Sequence, residues 1–266
     1  MINKLFHLNC ATLKPLSGKI ICHCLLLDTD KGLILIDTGL GRKDINSPGS
    51  RLTLLFRKMV NPILNINETA YNQIQQLGYN AGDVKFIILT HLHEDHIGGI
   101  DDFPNAILIT SAVEYENTFN SKKVRFRPNL KQISGTYIWL KIELNNTKWN
   151  NFATGEIFKD NRDILLVDLK GHTNGHCGVL LNFNGQTLLH CGDAYYDKKT
   201  IKYGAAKTPF QYKLLQAVVT DNKKDRADTE KKLRDLYLKN NDKIEFFSSH
   251  DKTEFLRMKS KEQVCM

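Results

Sequence analysis

The sequence Thr90–Gly99 (THLHEDHIGG) directly follows the apolar run Phe86–Leu89, and it holds three histidines and two acidic residues within six positions. Burying that many polar groups without partners would cost several kcal/mol for each group. A solvated loop would not explain why imidazoles, the commonest metal ligands, alternate where a strand is expected to end. The pattern therefore predicts a metal site at the end of this strand.

The motif offers four candidate ligands, namely His91, His93, Asp95 and His96. A loop this short cannot easily aim all four at one ion. We therefore expect His91 and His93 to serve one ion and the next two ligands to serve a second, with the ions about 3.5–4 Å apart as in other two-metal sites. Each ion then needs further ligands from the ends of other strands.

Such residues occur later in the chain. The loop Gly171–His176 (GHTNGH), the pair Gly192-Asp193 and the single residue His250 each follow an apolar run that reads as a strand. Taken alone, His250 would be interpreted as a surface or core residue and Gly192-Asp193 as a turn. Together with the first motif, they predict one metal centre built from several strand ends.

The motifs and their order resemble those of the metallo-β-lactamase superfamily of metal-dependent hydrolases. His91–His96 matches the H-x-H-x-D-H motif, Ile36–Gly39 (IDTG) the early D-T-G turn, and Gly171–His176 the G-H-T-x-G-H loop, while Gly192-Asp193 and His250 match the last two motifs. The resemblance covers residues 36 to 250. It implies an α+β protein with the αββα sandwich fold, in which helices flank two mainly antiparallel sheets.

The resemblance also implies a role for each residue of the centre. Seven residues would bind two divalent ions: His91, His93 and His172 the first ion, Asp95, His96 and His250 the second, and Asp193 both ions together with a hydroxide. Asp37 and His176 would support these ligands without binding metal. Zinc suits such a set best, although iron, manganese and cobalt are also compatible with it.

Two tyrosines closely follow Asp193. The N-acyl-homoserine lactonases of the superfamily carry a tyrosine three positions after this aspartate, which is Tyr196 here, and Tyr195 is the competing candidate. The resemblance thus implies a hydrolase that opens lactones, or related esters and thioesters, by attack of the bridging hydroxide. Asp95, Asp193 and Tyr196 would be the catalytic residues, and an N-acyl-homoserine lactone is the expected substrate.

Three other functions remain open. A phosphodiesterase or nuclease would use the same metal pair, and the formal charge of +8 with the basic stretch Lys122–Lys131 would favour a polyanionic substrate. A glyoxalase II-like thioesterase would need basic glutathione-binding residues, which we cannot match. A non-catalytic metal-binding regulatory protein would not need a complete ligand set. No nucleic-acid motif accompanies the basic stretch, so we expect a small-molecule substrate and no nucleic acid.

Hydrophobic periodicity predicts the remaining elements. Strands are expected at Ile20–Leu27, Leu33–Asp37, Phe86–Thr90, Ile107–Thr110, Ile164–Leu169, Gly178–Phe183, Thr187–Cys191 and Glu245–Ser249. Helices are expected at Glu68–Leu77 with Asn67 as its N-cap, Ser111–Asn120, Pro209–Thr220 and Asp228–Lys239. We expect a single domain over residues 1–266, with an excursion around residues 117–155 that forms the mouth of the substrate site.

Composition agrees with a globular protein. The 266 residues are 41% hydrophobic and 25% charged, and no apolar run approaches the roughly 20 residues that span a bilayer. The N-terminus lacks a secretory pattern and the six cysteines include no C-x-x-C pair, so we expect a cytoplasmic protein with no membrane association. In Cys22-His23-Cys24, strand alternation places both thiols on one face, for which we expect core packing. The oligomeric state is not predicted.

Overall fold

The computed structural model describes residues 2–16, 18–120, 130–145, 147–239 and 243–262. The chain folds into two compact units, each described as far as these ranges allow. The first unit contains residues 1–109, 127–140 and 252–266, and the second contains residues 110–126 and 141–251. Four of the five basic residues of the basic stretch, Lys122, Lys123, Arg125 and Arg127, lie outside the described residues.

The described residues form thirteen strands and ten α-helices. The strands are β1 (Ile2–Leu13), β2 (Ile20–Thr29), β3 (Gly32–Ile36), β4 (Pro62–Ile63), β5 (Val84–Ile88), β6 (Ile107–Ser111), β7 (Trp139–Ile142), β8 (Thr147–Trp149), β9 (Phe152–Phe158), β10 (Asn161–Asp168), β11 (Cys177–Phe183), β12 (Gln186–His190) and β13 (Ile244–Phe247). The helices are α1 (Arg42–Asn46), α2 (Pro48–Arg51), α3 (Leu54–Val60), α4 (Ala70–Gln76), α5 (Glu94–Ile97), α6 (Ala112–Phe119), α7 (Lys198–Tyr203), α8 (Phe210–Val219), α9 (Lys223–Lys239) and α10 (Lys252–Glu262).

The strands form two mixed sheets. The first has the order β4-β1-β2-β3-β5-β6-β7 and the second the order β13-β12-β11-β10-β9-β8. Antiparallel pairs prevail, but β3–β5, β5–β6 and β12–β13 are parallel. Helical crossovers account for this, since parallel neighbours cannot be joined by a tight turn. The predicted α+β class with two sheets and flanking helices is confirmed, and the sheets contain more parallel pairing than the sequence indicated.

Pairing of β3 with β5 decides where the first group of functional residues lies. Ile36 at the end of β3 pairs with Ile88 at the end of β5. Because the strands are parallel, their carboxyl ends meet at one edge of the sheet, and the loops that start with Asp37 and Leu89 leave together. Leu35, Ile36, Ile87 and Ile88 are fully buried, which explains why these strands read as continuous apolar runs.

The second sheet places its loops by the same rule. β10 and β12 are each antiparallel to β11, and β12 is parallel to β13. The carboxyl ends of β10, β12 and β13 therefore share one edge, from which the loops with His172, Asp193 and His250 start. The core beside this sheet includes Leu180 and Leu189 from the strands and Leu233 from α9.

The turn between β11 and β12 has the backbone angles that its sequence, Asn184-Gly185, favours. Asn184 and Gly185 have φ values of 50° and 74°, which is the pair of positive angles that a tight hairpin needs. Helix α4 begins later than expected, with Thr69 rather than Asn67 as its N-cap. The excursion includes β7, β8 and part of β9. Its role as a substrate mouth and the single-domain organisation stay predictions.

Candidate metal centre

The first group of candidate ligands lies in the loop after β5 and in the one-turn helix α5. His91, Asp95 and His96 are buried and His93 is half-buried. A ring nitrogen of His91 lies within 4.8 Å of one on His93, and the same limit holds between His91 and His96. The first unit thus places His91 near both of the other histidines of the motif.

Asp37 fixes the orientation of His96. Its carboxylate accepts hydrogen bonds from the Thr90 backbone N–H and hydroxyl, each at 2.9 Å, and from His96 Nδ1 at 2.8 Å. An ionised carboxylate only accepts, so Nδ1 carries the proton. The opposite ring nitrogen, Nε2, lies 3.9 Å from Asp95 Oδ1, which is too far for a hydrogen bond but suits two ligands of one cation.

Glu94, the remaining acid of the motif, supports the loop. Its carboxylate accepts from the Thr53 backbone N–H at 2.8 Å and from the Thr53 hydroxyl at 2.5 Å. Burial raises the pKa of Glu94, although the bonds from Thr53 act in the opposite direction. Gly98 directly follows α5, and a Cβ at this position would lie 2.1 Å from Asp44 Oδ2. The close packing therefore leaves no room for a side chain here. The loop that carries the candidate ligands is therefore held in place by tightly packed neighbours.

The second group begins in the loop Gly171–His176. A Cβ on Gly171 would lie 2.2 Å from the Arg226 backbone nitrogen, and one on Gly175 would lie 2.1 Å from the Glu114 backbone nitrogen. Both glycines thus allow close approach of another backbone. His176 bonds the Leu169 carbonyl through Nδ1 at 2.8 Å, and its Nε2 accepts the Asp193 backbone N–H at 2.9 Å. Both of its ring nitrogens therefore bond protein atoms.

Three side chains converge on one carboxylate oxygen, Asp193 Oδ2. His172 Nε2 lies 3.4 Å away, His250 Nε2 3.1 Å away, and the Tyr196 hydroxyl donates to it at 2.9 Å. The Tyr196 ring stacks on His250 with centroids 5.2 Å apart. Tyr195 instead lies in the hydrophobic core of the second unit with 1% exposure.

These donor sets fit divalent metals. Each unit offers buried imidazoles beside a buried carboxylate, which are the nitrogen and oxygen donors that zinc and its neighbours prefer. An ionised carboxylate in such a setting is costly unless a cation or hydrogen bonds compensate for it. The chemistry of the residues thus agrees with the cofactor that the sequence motifs imply.

Sequence reasoning missed one residue of this region, Arg226. It is buried in α9, donates to the Thr220 hydroxyl at 2.9 Å and to the carbonyls of Asp193 and Ala194 at 3.4 Å, and pairs with Glu230 at 3.1 Å. Its sequence surroundings mix both charges and read as a solvated helix face. The close approach of Gly171 to the start of α9 is visible only in the structure, so the sequence carries no signal for Arg226.

Comparison with known proteins identifies the family. The family model described as the metallo-β-lactamase superfamily matches residues 17–236. The chain belongs to this superfamily. A probable metallo-hydrolase of Mycobacterium tuberculosis is 34% identical over 251 residues, which are 93% of this chain and 80% of the relative. An N-acyl homoserine lactonase of a Bacillus species is 31% identical over 186 residues, which are 67% of this chain and 66% of the relative.

Solved structures show the same superfamily fold. An N-acyl homoserine lactone hydrolase with the product N-hexanoyl-L-homoserine at its catalytic metal centre has a TM-score of 0.70 and 21% identity, covering 100% of this chain and 97% of the other. A dizinc quorum-quenching lactonase has a TM-score of 0.54 and 21% identity, covering 87% and 73%. The predicted metallo-β-lactamase fold is confirmed. The chain is a metal-dependent hydrolase of the lactonase-like branch.

The helices also show whether any segment could span a membrane. Within the described ranges, no helix combines the length and apolar character needed to cross a membrane.

Proposed function

We propose that this protein is a dinuclear metal hydrolase that opens lactones or related esters and thioesters, with an N-acyl-homoserine lactone as its substrate. The observation that carries this proposal is the convergence of His172, His250 and Tyr196 on one oxygen of Asp193. Two imidazoles that face one carboxylate oxygen suit an arrangement in which two cations share that carboxylate. The phenol of Tyr196 adds a hydrogen-bond donor. The lactonase relatives support the substrate class.

The ligand assignment follows the order of motifs in the superfamily. We assign His91, His93 and His172 to one ion, Asp95, His96 and His250 to the other, and Asp193 to both. Within each unit, the facing nitrogens and carboxylates support this assignment. Zinc is the proposed metal because imidazole and carboxylate ligands suit it and one neighbouring structure is a dizinc lactonase, while iron, manganese and cobalt are alternatives.

When bound, a pair of divalent ions supplies a hydroxide nucleophile near neutral pH and polarises the substrate carbonyl. The protein holds the geometry for this chemistry. Asp37 keeps the proton of His96 on Nδ1, so that Nε2 faces Asp95. His176 holds the Asp193 backbone N–H and thereby the position of its carboxylate.

Three side chains would donate a hydrogen bond or move a proton in the reaction. The Tyr196 hydroxyl, which donates to Asp193 in the structure, would donate to the oxyanion that develops on the carbonyl oxygen. Asp95 or Asp193 would take the proton of the attacking hydroxide and pass it to the leaving alkoxide. A small neutral substrate fits this scheme without any cationic binding residue.

A cytoplasmic location is also part of the proposal. Five cysteines, Cys10, Cys22, Cys24, Cys177 and Cys191, are buried thiols, which suits a reducing compartment.

Metal analysis and a hydrolysis panel test the function together. Zinc-loaded wild-type protein is expected to carry two ions per chain and the Asp193→Ala variant fewer, while Asp83→Ala, at an exposed carboxylate, serves as control. The panel compares lactones, thioesters and bis-p-nitrophenyl phosphate. A single ion in the wild type would remove the dinuclear mechanism. A preference for phosphodiesters would favour the nuclease alternative, and inactivity of fully loaded protein on all substrates would favour a regulatory role.

A further inference from the structure

A buried thiol lies beside one of the proposed metal ligands. Cys22 is in the interior of β2, is 1% exposed, and its Sγ lies 4.0 Å from Asp95 Oδ2. Its neighbour His23 contacts different residues, since its Nε2 lies 2.8 Å from His7 Nδ1 and its ring packs edge-on against Phe255. The alternation along the strand thus directs Cys22 toward the metal-binding loop.

The distance between Cys22 and Asp95 is short enough for one ion to touch both. Zinc binds sulfur at about 2.3 Å and carboxylate oxygen at about 2.0–2.2 Å. The sum of these two lengths exceeds the 4.0 Å that separates Sγ from Oδ2. The other oxygen of Asp95 lies 3.9 Å from His96 Nε2, so the same carboxylate faces a thiol on one side and an imidazole on the other.

We propose that Cys22 is an additional ligand of the ion that Asp95 and His96 hold, an inference that rests on the proposed dinuclear centre. On binding, the thiol proton passes to solvent as the sulfur–metal bond forms, so one proton is released for each thiolate bound. A thiolate is a softer donor than imidazole or carboxylate. Cys22 would therefore make this position prefer zinc or cobalt over manganese and magnesium. The core packing expected from the sequence would then be only part of its function.

Cys24 offers a matched control on the same strand. It lies two residues further along β2, on the same face, and is fully buried with the Cys10 thiol as its neighbour. Burial, followed by a hydrogen bond with Cys10, raises the pKa of the Cys24 thiol well above its ordinary value. Cys24 is thus a buried thiol of the same strand face for which no metal contact is proposed.

Cobalt substitution tests the proposal without an activity assay. Cobalt(II) bound to a thiolate gives a sulfur-to-metal charge-transfer band in the near ultraviolet, which nitrogen and oxygen ligands do not produce. We expect this band in cobalt-loaded wild type and in Cys24→Ser, and we expect its loss in Cys22→Ser. Competition with a chromophoric chelator should show that Cys22→Ser binds zinc at one position at least about 10-fold more weakly than the wild type. This is the size of the loss that is typical when a residue that supports a metal site is removed.

The outcomes separate this inference from the function on which it rests. A wild-type protein with two cobalt ions and no charge-transfer band, or a band that persists in Cys22→Ser, would overturn the role of Cys22 and leave the dinuclear hydrolase intact. Fewer than two ions in the wild type would count against the proposed function itself, whatever the band shows. If Cys22→Ser does not fold, as judged by circular dichroism, Cys22→Ala keeps the strand position apolar and is measured in the same way.

Discussion

Asp37 combines an unusual backbone angle with three hydrogen bonds. Its φ of 53° lies in the left-handed region, where aspartate and asparagine are tolerated better than most residues. The angle turns the chain after β3 and brings the carboxylate to Thr90 and His96. One residue therefore connects the end of β3 to the loop after β5 and sets the tautomer of His96.

The substitution Asp37→Asn separates these functions of Asp37. Asparagine keeps the left-handed angle and can still accept from Thr90, but one carboxylate oxygen becomes an amide NH₂, which cannot accept the His96 proton. We expect zinc affinity to fall about 10–100-fold while the fold is retained. Chelator competition measures the affinity. The same change at Asp28, which accepts from Tyr79, should leave zinc binding unchanged, and an unaltered affinity in Asp37→Asn would contradict the orienting role.

Tyr196 should matter for turnover and not for metal binding. Its hydroxyl is the only group that Tyr196→Phe removes, so the ring can still stack on His250. Loss of an oxyanion donor lowers kcat by about 10²–10³-fold, and we expect that loss with a lactone substrate at unchanged metal content. Tyr212→Phe, in the ring that stacks on Tyr196 at 6.2 Å, is the control. A normal kcat in Tyr196→Phe with a loss in Tyr195→Phe would transfer the role to Tyr195.

Residue types and their position after strands were enough to predict the candidate ligands. Imidazoles and carboxylates that cluster directly after apolar runs are typical of metal sites, as with His172 and Asp193. Cys22 was different, because strand alternation predicts that it shares a face with Cys24 and says nothing about what that face meets. Arg226 was missed because the sequence around it does not reveal that its guanidinium turns inward.

At the scale of elements, long apolar runs were predictable and short helices were not. All eight predicted strands occur, with small shifts at their ends. Short β-branched runs between turn residues are typical of buried strands. Helices of four or five residues such as α1, α2 and α5 contain too few turns for a periodic pattern. Their positions depend on tertiary contacts, such as the bond from Arg51 Nε to Asp44 at 3.1 Å.

Asp101 holds the segment after residue 130 against the turn that follows α5. Its carboxylate accepts from Arg51 at 2.9 Å, from the Ser134 backbone N–H and Tyr137 hydroxyl at 3.0 Å, and from Lys43 at 3.1 Å. Burial alone would raise the pKa of Asp101, but the hydrogen bonds from Ser134, Lys43 and Tyr137 outweigh it and lower the pKa to about 2.

This shift predicts a pH-dependent contribution to stability. The folded-state pKa lies below the unfolded value of about 3.9, so the contribution is complete above that value and is lost as the pH falls toward 2. We expect Asp101→Asn to reduce the free energy of unfolding by about 1 kcal/mol at pH 7, since solvent screens part of the interaction with the exposed Lys43, and by progressively less between pH 4 and pH 2. Urea unfolding of metal-free protein measures both, with Asp83→Asn as control. A difference that does not change with pH would show that the charge of Asp101 is not responsible.

For the whole molecule, the order of motifs predicted the family, but the composition of the two units could not be predicted. Helix α10 follows the last strand of the second sheet and yet belongs to the first unit. There, the Glu262 carboxylate accepts the His7 backbone N–H at 2.8 Å, and Phe255 packs against His23. Contacts between residues so far apart in the chain leave no local pattern in the sequence.

Net charge is the property of the whole molecule that bears on the substrate. The chain carries a formal charge of +8, which would attract polyanions over distances of about a Debye length, roughly 10 Å at 0.1 M salt. Two variants distinguish a specific polyanion site from general charge. One replaces four basic residues of the basic stretch with glutamine: Lys122, Lys123, Arg125 and Arg127. The other does so at four exposed lysines of α9: Lys223, Lys224, Lys231 and Lys239.

The proposed lactonase activity predicts that neither variant changes kcat/KM for a neutral lactone by more than about twofold across a salt series, since screening affects charged partners only. A polyanionic substrate would behave differently, because each lost phosphate contact reduces the dependence of binding on salt. The measurement is kcat/KM for a lactone and for a phosphodiester in wild type and both variants from low to moderate salt. A phosphodiester preference that is steep in salt for the wild type, and flattened only by the changes at residues 122–127, would replace the lactonase with a nuclease. Equal flattening by both variants would instead indicate attraction by the overall charge, with no dedicated polyanion site.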